Sequence, residues 1–206
     1  MNQRTMLHNK IPREWLALVA ASLALTACDT APVDTIEPPL AGAAIGGDVE
    51  LVDETGSTRN VNDFDGMFRM VYFGYAYCPD ICPYDVQRMA KGYEDFKAEA
   101  PDLAAKIVPI FVSVDPERDT PEVVAEFTDA FSEDLIGFTG SPEQIEAAAK
   151  AYAVFYAKGQ EVRPGAYLMD HSRSAFLMGP DGAPIALLPV DESAAGVTEV
   201  LRQWVS

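Results

Sequence analysis

The pattern of apolar and polar positions divides the chain into three stretches. Residues 15–27 form a thirteen-residue run without a charge, mostly Ala and Leu, behind a start that carries Arg4, Lys10 and Arg13. Residues 29–45 hold Pro32, Pro38, Pro39 and Gly42 among small residues and show no period. From about Gly46 onward the patterning is that of a folded domain, and no internal repeat is visible.

Within that domain, residues 49–52 and 59–61 flank Gly56 and predict a hairpin, and 62–66 is a polar turn. Residues 70–76 (MVYFGYA) are aromatic and β-branched, which predicts a buried strand. Val86, Met89, Ala90, Tyr93 and Phe96 then fall at helical spacing. Residues 107–114 predict the next central strand, with Pro109 near its start, where a missing N–H is tolerable. Thr120-Pro121-Glu122 reads as a helix start, with an N-cap, a proline at the first helical position and an acid in the first turn. Ser141-Pro142-Glu143-Gln144 reads as a capping box opening a helix that turns Ile145, Ala148, Ala149, Tyr152 and Phe155 inward. A loop from Lys158 to about Asp170 follows. Residues 175–178 and 185–188 flank the turn Gly179-Pro180-Asp181-Gly182, and a last helix carries Val197, Val200, Leu201 and Trp204. The order β-α-β-α-α-β-β-α behind an N-terminal hairpin predicts an α/β fold. A central mixed sheet is flanked by helices, as in a thioredoxin-like domain.

The first stretch changes the picture of location. A basic start and a short apolar run have the form of a secretory signal. At ~20 Å as a helix the run falls short of the ~30 Å hydrocarbon core. It ends Leu25-Thr26-Ala27-Cys28, which resembles a bacterial lipobox. The resemblance implies a signal peptide over 1–27, lipidation of Cys28, a flexible tether over 28–45 and the domain over 46–206. Asp29 after the cysteine hints at retention on the periplasmic side of the inner membrane. A plain signal cut nearby or an uncleaved anchor are the alternatives.

Composition narrows the chemistry. Of 206 residues, 32 are Asp or Glu and 15 Lys or Arg, a net charge of −17. Removal of 1–27 takes away Arg4, Lys10, Arg13 and Glu14 and leaves −19. Such a surface argues against a nucleic-acid partner. No charge-free apolar stretch reaches 18 residues, so no ordinary spanning helix is predicted. The chain has three Cys and two His. With Cys28 lipidated and His8 removed, Cys78, Cys82 and His171 remain.

Cys78-Pro79-Asp80-Ile81-Cys82-Pro83 directly follows the first predicted strand. If the helix opens here, the two cysteines lie one turn apart on one face, ~6 Å between Cα atoms. A helix N-terminus favours anions, so both thiols should ionise readily. Three readings are open: a structural disulfide, a redox-active dithiol, or a soft-metal site. Two thiolates with one imidazole suit Cu(I) and can also hold Cu(II) or Zn(II). The imidazole would be His171, in Met169-Asp170-His171-Ser172, with Asp170 and Ser172 placed to orient the ring. A lone histidine is otherwise a satisfied or exposed residue.

Four blocks carry a resemblance to the Sco/SenC family of thioredoxin-like copper chaperones. They are Tyr72-Phe73-Gly74 with the Cys78–Cys82 motif; Val112-Ser113-Val114-Asp115-Pro116-Glu117-Arg118-Asp119-Thr120-Pro121; Phe138-Thr139-Gly140-Ser141; and Asp170-His171-Ser172. Order and spacing fit over about residues 46–206. The resemblance implies a membrane-anchored periplasmic chaperone that binds one copper ion, Cu(I) or Cu(II), through Cys78, Cys82 and His171. It would deliver the ion to the binuclear copper centre of cytochrome c oxidase subunit II. Another periplasmic copper chaperone or a thioredoxin-like reductase are further implied partners. Ala76-Tyr77 departs from the Thr-His or Thr-Phe that often precedes the first cysteine in the family.

Asp115 follows a strand and is a candidate supporting residue, or else a turn residue held by Arg118. Met169 and Met178 sit in apolar company and read as core, while Tyr75, Tyr77 and Tyr84 flank the cysteines as a shield or docking face. The main alternative function is a thiol-disulfide oxidoreductase keeping the oxidase cysteines reduced. The Cys-x3-Cys spacing, and the lack of a proline in Ser172-Arg173-Ser174, favour metal delivery. A thiol peroxidase is supported by the fold alone.

Overall fold

The computed structural model describes residues 36–64 and 66–206. The predicted signal peptide, Cys28 and the start of the tether lie outside the described residues. The folded unit is Glu37–Ser206. It thus begins before Gly46: the Leu40 N–H donates to the Ile185 carbonyl at 3.0 Å and the Gly46 N–H to the Ala151 carbonyl at 2.8 Å.

The elements in chain order are β1 (Glu50–Asp53), β2 (Thr58–Asn60), a 3-10 turn (Val61–Phe64), β3 (Phe68–Gly74), α1 (Ile81–Glu99), α2 (Pro101–Ala104) and β4 (Ile107–Ser113). They continue with α3 (Pro121–Asp129), β5 (Ile136–Thr139), α4 (Pro142–Ala151), β6 (Tyr156–Lys158), β7 (Met169–His171), β8 (Ala175–Met178), β9 (Pro184–Leu188) and α5 (Ala194–Trp204). Seven strands form one mixed sheet in the order β2-β1-β5-β4-β3-β8-β9, and β6 and β7 form a separate hairpin. The predicted α/β architecture is present, with three strands added. The order read from the sequence lacks β5, which lies between β1 and β4, and it treats β6 and β7 as loop.

Every residue of β3 and β4 is buried. Strands covered on both faces favour such largely apolar runs, and the charged residue within β3, Arg69, donates to the Val61 and Gly179 carbonyls. Pro109 sits one residue before the β4–β5 ladder begins at Ile110, so its missing N–H costs that ladder nothing. The capping signals are realised. Thr120 accepts from the Val123 N–H, and Ser141 and Gln144 form a reciprocal capping box. The α1 and α5 helices approach closely at Gly92, whose backbone carbonyl accepts from the Thr198 hydroxyl at 3.0 Å.

Strand direction brings distant segments to one end of the sheet. Because β3 and β4 run parallel, the segments that follow them, 75–80 and 114–120, emerge side by side. Because β8 runs antiparallel to β3, with Tyr72 opposite Ala175, the segment that precedes β8 arrives at that same end. The C-terminal end of parallel strands is where open α/β sheets place their sites.

Candidate metal centre

Cys78 stands in the turn between β3 and α1, and Cys82 is the second residue of α1. The expectation that both ride one helical face is therefore corrected: the helix opens at Ile81, three residues after Cys78. Its N-cap residue, Asp80, makes no side-chain cap. The Cys78 sulfur takes that place and accepts the Cys82 backbone N–H at 3.4 Å. Gly74 makes room for the pair. A Cβ there would lie 2.9 Å from the Tyr72 ring and 3.4 Å from the Cys82 sulfur.

Both cysteines are free thiols and both are buried, Cys82 completely. Their acidities diverge. Hydrogen bonding from the Cys82 side chain, and from the Asp80 and Cys82 backbone, pulls the Cys78 thiol well below its ordinary range, against the opposing effect of burial. The same interaction with Cys78, followed by burial, pushes Cys82 up.

His171 ends β7. Its Nδ1 lies 2.8 Å from the Ser172 carbonyl oxygen. A carbonyl only accepts, so Nδ1 carries the hydrogen and Nε2 presents its lone pair. That nitrogen lies 3.0 Å from the Cys82 sulfur, across 89 residues of sequence. The imidazole stands edge-on to Tyr72 and Tyr75, with ring centres 6.3 and 5.9 Å away. Ser172 orients the ring through its backbone, while its hydroxyl accepts the Phe155 N–H at 3.1 Å.

Of the two candidate supporting acids, Asp170 is exposed on the rim of the cleft beside His171. Asp115 is buried and engaged elsewhere: it accepts Arg118 Nε at 2.5 Å and the Tyr167 hydroxyl at 2.7 Å. Met169 and Met178 are core residues.

A cleft of about 390 Å³ opens over the site, with Cys78, Ile81, Phe155, Leu168 and His171 among its lining. Phe155, expected inward, is 64% exposed there. The helix ends at Ala151, and Ala153 adopts a left-handed φ of 52°, which breaks the helical period before Phe155 is reached. Tyr77 and Tyr84 are exposed nearby, whereas Tyr75 is buried.

Behind Cys82 lies a buried polar cluster that the sequence did not reveal. Asp85 is wholly buried and receives the Tyr72 hydroxyl at 3.1 Å and the Arg173 guanidinium at 2.9 and 2.6 Å. An acid three residues after Cys82 and a base two after His171 were the available signals.

The donor set, two sulfurs and one imidazole nitrogen, is chemically suited to a soft ion. It is not a preformed cage. Among the described residues, no group of three or more His, Cys, Asp or Glu side chains is arranged to hold a metal ion as it stands. An ion would have to replace the hydrogen bond between Cys82 and His171.

The SCO1/SenC family model matches residues 37–206. Protein SenC of Rhodobacter capsulatus is 46% identical over 144 residues, which cover 68% of this chain and 61% of that protein. The solved structure of Arabidopsis thaliana ScoI with copper bound aligns with a TM-score of 0.70 at 35% identity, covering 78% of this chain and 98% of that one. The thioredoxin domain of a thiol-disulfide oxidoreductase from Bacteroides vulgatus shares the fold, with a TM-score of 0.54 at 17% identity over 79% of this chain and 96% of its own. With its domain matched by that model from end to end, the chain belongs to the SCO1/SenC family.

Proposed function

We propose that this protein is a copper chaperone that holds one copper ion through Cys78, Cys82 and His171. It delivers the ion to the binuclear centre of cytochrome c oxidase subunit II from a lipid anchor at Cys28, on the periplasmic side of the inner membrane. The observation that carries the reading is the meeting of Cys82 and His171 at 3.0 Å beside a second cysteine. That a relative 35% identical is solved with copper bound supports the choice of ion.

The residues divide the work. Cys78, already favoured as thiolate, is the first donor to meet an incoming ion. Cys82 gives up its proton on binding, and His171 completes the set through Nε2. Two thiolates favour Cu(I) over harder ions. The hairpin that carries His171 shares no ladder with the main sheet. In delivery the imidazole would give up its place to a recipient's donors, with the exposed Phe155 and Leu168 beside the exit.

The test is anaerobic Cu(I) titration of the full chain carrying Cys28→Ser, against a colorimetric chelator. One equivalent should bind. Cys78→Ser, Cys82→Ser and His171→Ala should each weaken binding, and unchanged affinity in any of the three removes that residue from the site.

The divergent acidities of the two cysteines also favour a second reading, reduction of oxidase cysteines. The Cys78 thiolate would attack a partner disulfide to form a mixed disulfide. The Cys82 thiolate, after proton loss, would then displace the reduced partner and leave Cys78 and Cys82 joined, to be reset by a thioredoxin-like reductase. Disulfide turnover retained by His171→Ala and lost in Cys78→Ser would favour this role.

A further inference from the structure

We propose that Arg118 is a positioning residue of the metal centre. It locks the hairpin that carries His171 to the turn that carries Cys78, and so sets how tightly the three donors hold an ion. The inference rests on the ligand set proposed above.

The β6–β7 hairpin is hydrogen-bonded within itself and belongs to no larger sheet. Its placement against the cysteine turn therefore depends on side-chain contacts, and the 114–120 segment after β4 supplies them on both sides. Towards the hairpin, Arg118 Nη1 donates to the Tyr167 carbonyl at 3.0 Å, and the guanidinium lies 3.6 Å from the centre of the Tyr167 ring. Arg118 Nε donates to Asp115 at 2.5 Å, and the Tyr167 hydroxyl donates to the other oxygen of that carboxylate at 2.7 Å. Arg118, Asp115 and Tyr167 thus close a ring of three bonds, four residues before His171. Towards the cysteines, the same guanidinium lies 5.8 Å from the Tyr75 ring and 5.3 Å from the Tyr77 ring, immediately before Cys78. The neighbouring Asp119 accepts the Ala76 N–H at 2.9 Å.

The planar fork of an arginine is what allows one side chain to bond a carboxylate and a carbonyl in different directions while stacking on a ring. Arg118 touches neither the sulfurs nor the imidazole. Its effect on an ion passes through the position of His171, as with other residues that orient metal ligands without binding the metal.

The experiment is a double-mutant cycle read as Cu(I) affinity by anaerobic chelator competition. It uses the full chain with Cys28→Ser, with and without Arg118→Ala and His171→Ala. Arg118→Ala should weaken Cu(I) binding roughly 10–100-fold, the range for residues that orient metal ligands. In the His171→Ala background the same substitution should change affinity by no more than about twofold, the spread of uncoupled sites. Equal weakening in both backgrounds would mean a general structural role and overturn the inference, as would no weakening in either. If Arg118→Ala shows no cooperative unfolding transition, Arg118→Lys, which keeps the charge and loses the fork, carries the same cycle under the same criteria. If His171→Ala alone leaves affinity unchanged, the ligand set has failed rather than the role of Arg118.

Discussion

Replacing Asp119 by Asn tests the physical account of the turn that holds Cys78. Asp119 is wholly buried. One carboxylate oxygen accepts the Ala76 N–H at 2.9 Å and the Ser113 hydroxyl at 2.5 Å, and the other has no hydrogen-bond partner among the described residues. Burial raises its pKa from 3.8 to about 6, against the lowering effect of those two hydrogen bonds. The folded protein therefore holds a proton on Asp119 that the unfolded chain has already lost over that range. The stability linked to this proton is fully present below about pH 4 and disappears as pH rises through 6. Two pKa units at ~1.4 kcal/mol each give about 3 kcal/mol. Asparagine keeps the acceptor for Ala76 and Ser113 and removes the titration. The stability of Asp119→Asn relative to wild type should thus rise by about 2.4 kcal/mol of that total between pH 4 and pH 7, or roughly 5–10 °C in Tm for a domain of this size. Urea unfolding of both proteins at pH 4, 5, 6 and 7 measures the difference, in which all other titrating groups cancel. A difference that stays constant with pH would refute the reasoning.

Other substitutions probe the packing around the site. Gly92→Ala should cost about 1–3 kcal/mol by overpacking, because a Cβ there would lie 2.6 Å from the Val197 Cβ and 2.8 Å from the Ala194 carbonyl oxygen; urea unfolding reads it. Tyr72→Phe should cost only about 1 kcal/mol, since Asp85 keeps both bonds from Arg173 and no charge is left bare. Asp85→Ala should cost more, about 3 kcal/mol, because it strips both the buried Tyr72 hydroxyl and Arg173 of their partner. Equal losses for these last two variants would contradict the assignment of Asp85 as the hub.

What was legible in the sequence follows from the strength of each local signal. The long buried runs of β3 and β4 and the caps at Thr120 and Ser141 are decided by nearby residues, and they stand where the pattern puts them. Strand β5 is only Ile136–Thr139, four residues including a glycine, too short to announce a period, yet it sits in the middle of the sheet. Phe155 was misplaced because a helical period was carried past a left-handed residue at Ala153 that nothing nearby requires. At the site, the scarcity of Cys and His singled out the three residues that the fold brings to one end of the sheet. The contacts that hold them are long-range. Arg173 with Asp85, and Arg118 with Tyr167, join residues 88 and 49 positions apart, a pairing no local pattern records. Asp115 is held by Arg118, the turn reading that its sequence neighbours offered, while its second partner, the Tyr167 hydroxyl, lies 52 residues away and leaves no local signal.

Copper K-edge X-ray absorption on the Cu(I)-loaded full chain carrying Cys28→Ser tests the central claim most directly. The account predicts a first shell of two sulfurs and one nitrogen, with the nitrogen lost in His171→Ala and one sulfur lost in each single cysteine variant. A shell of nitrogen and oxygen alone, or one unchanged by His171→Ala, would contradict it.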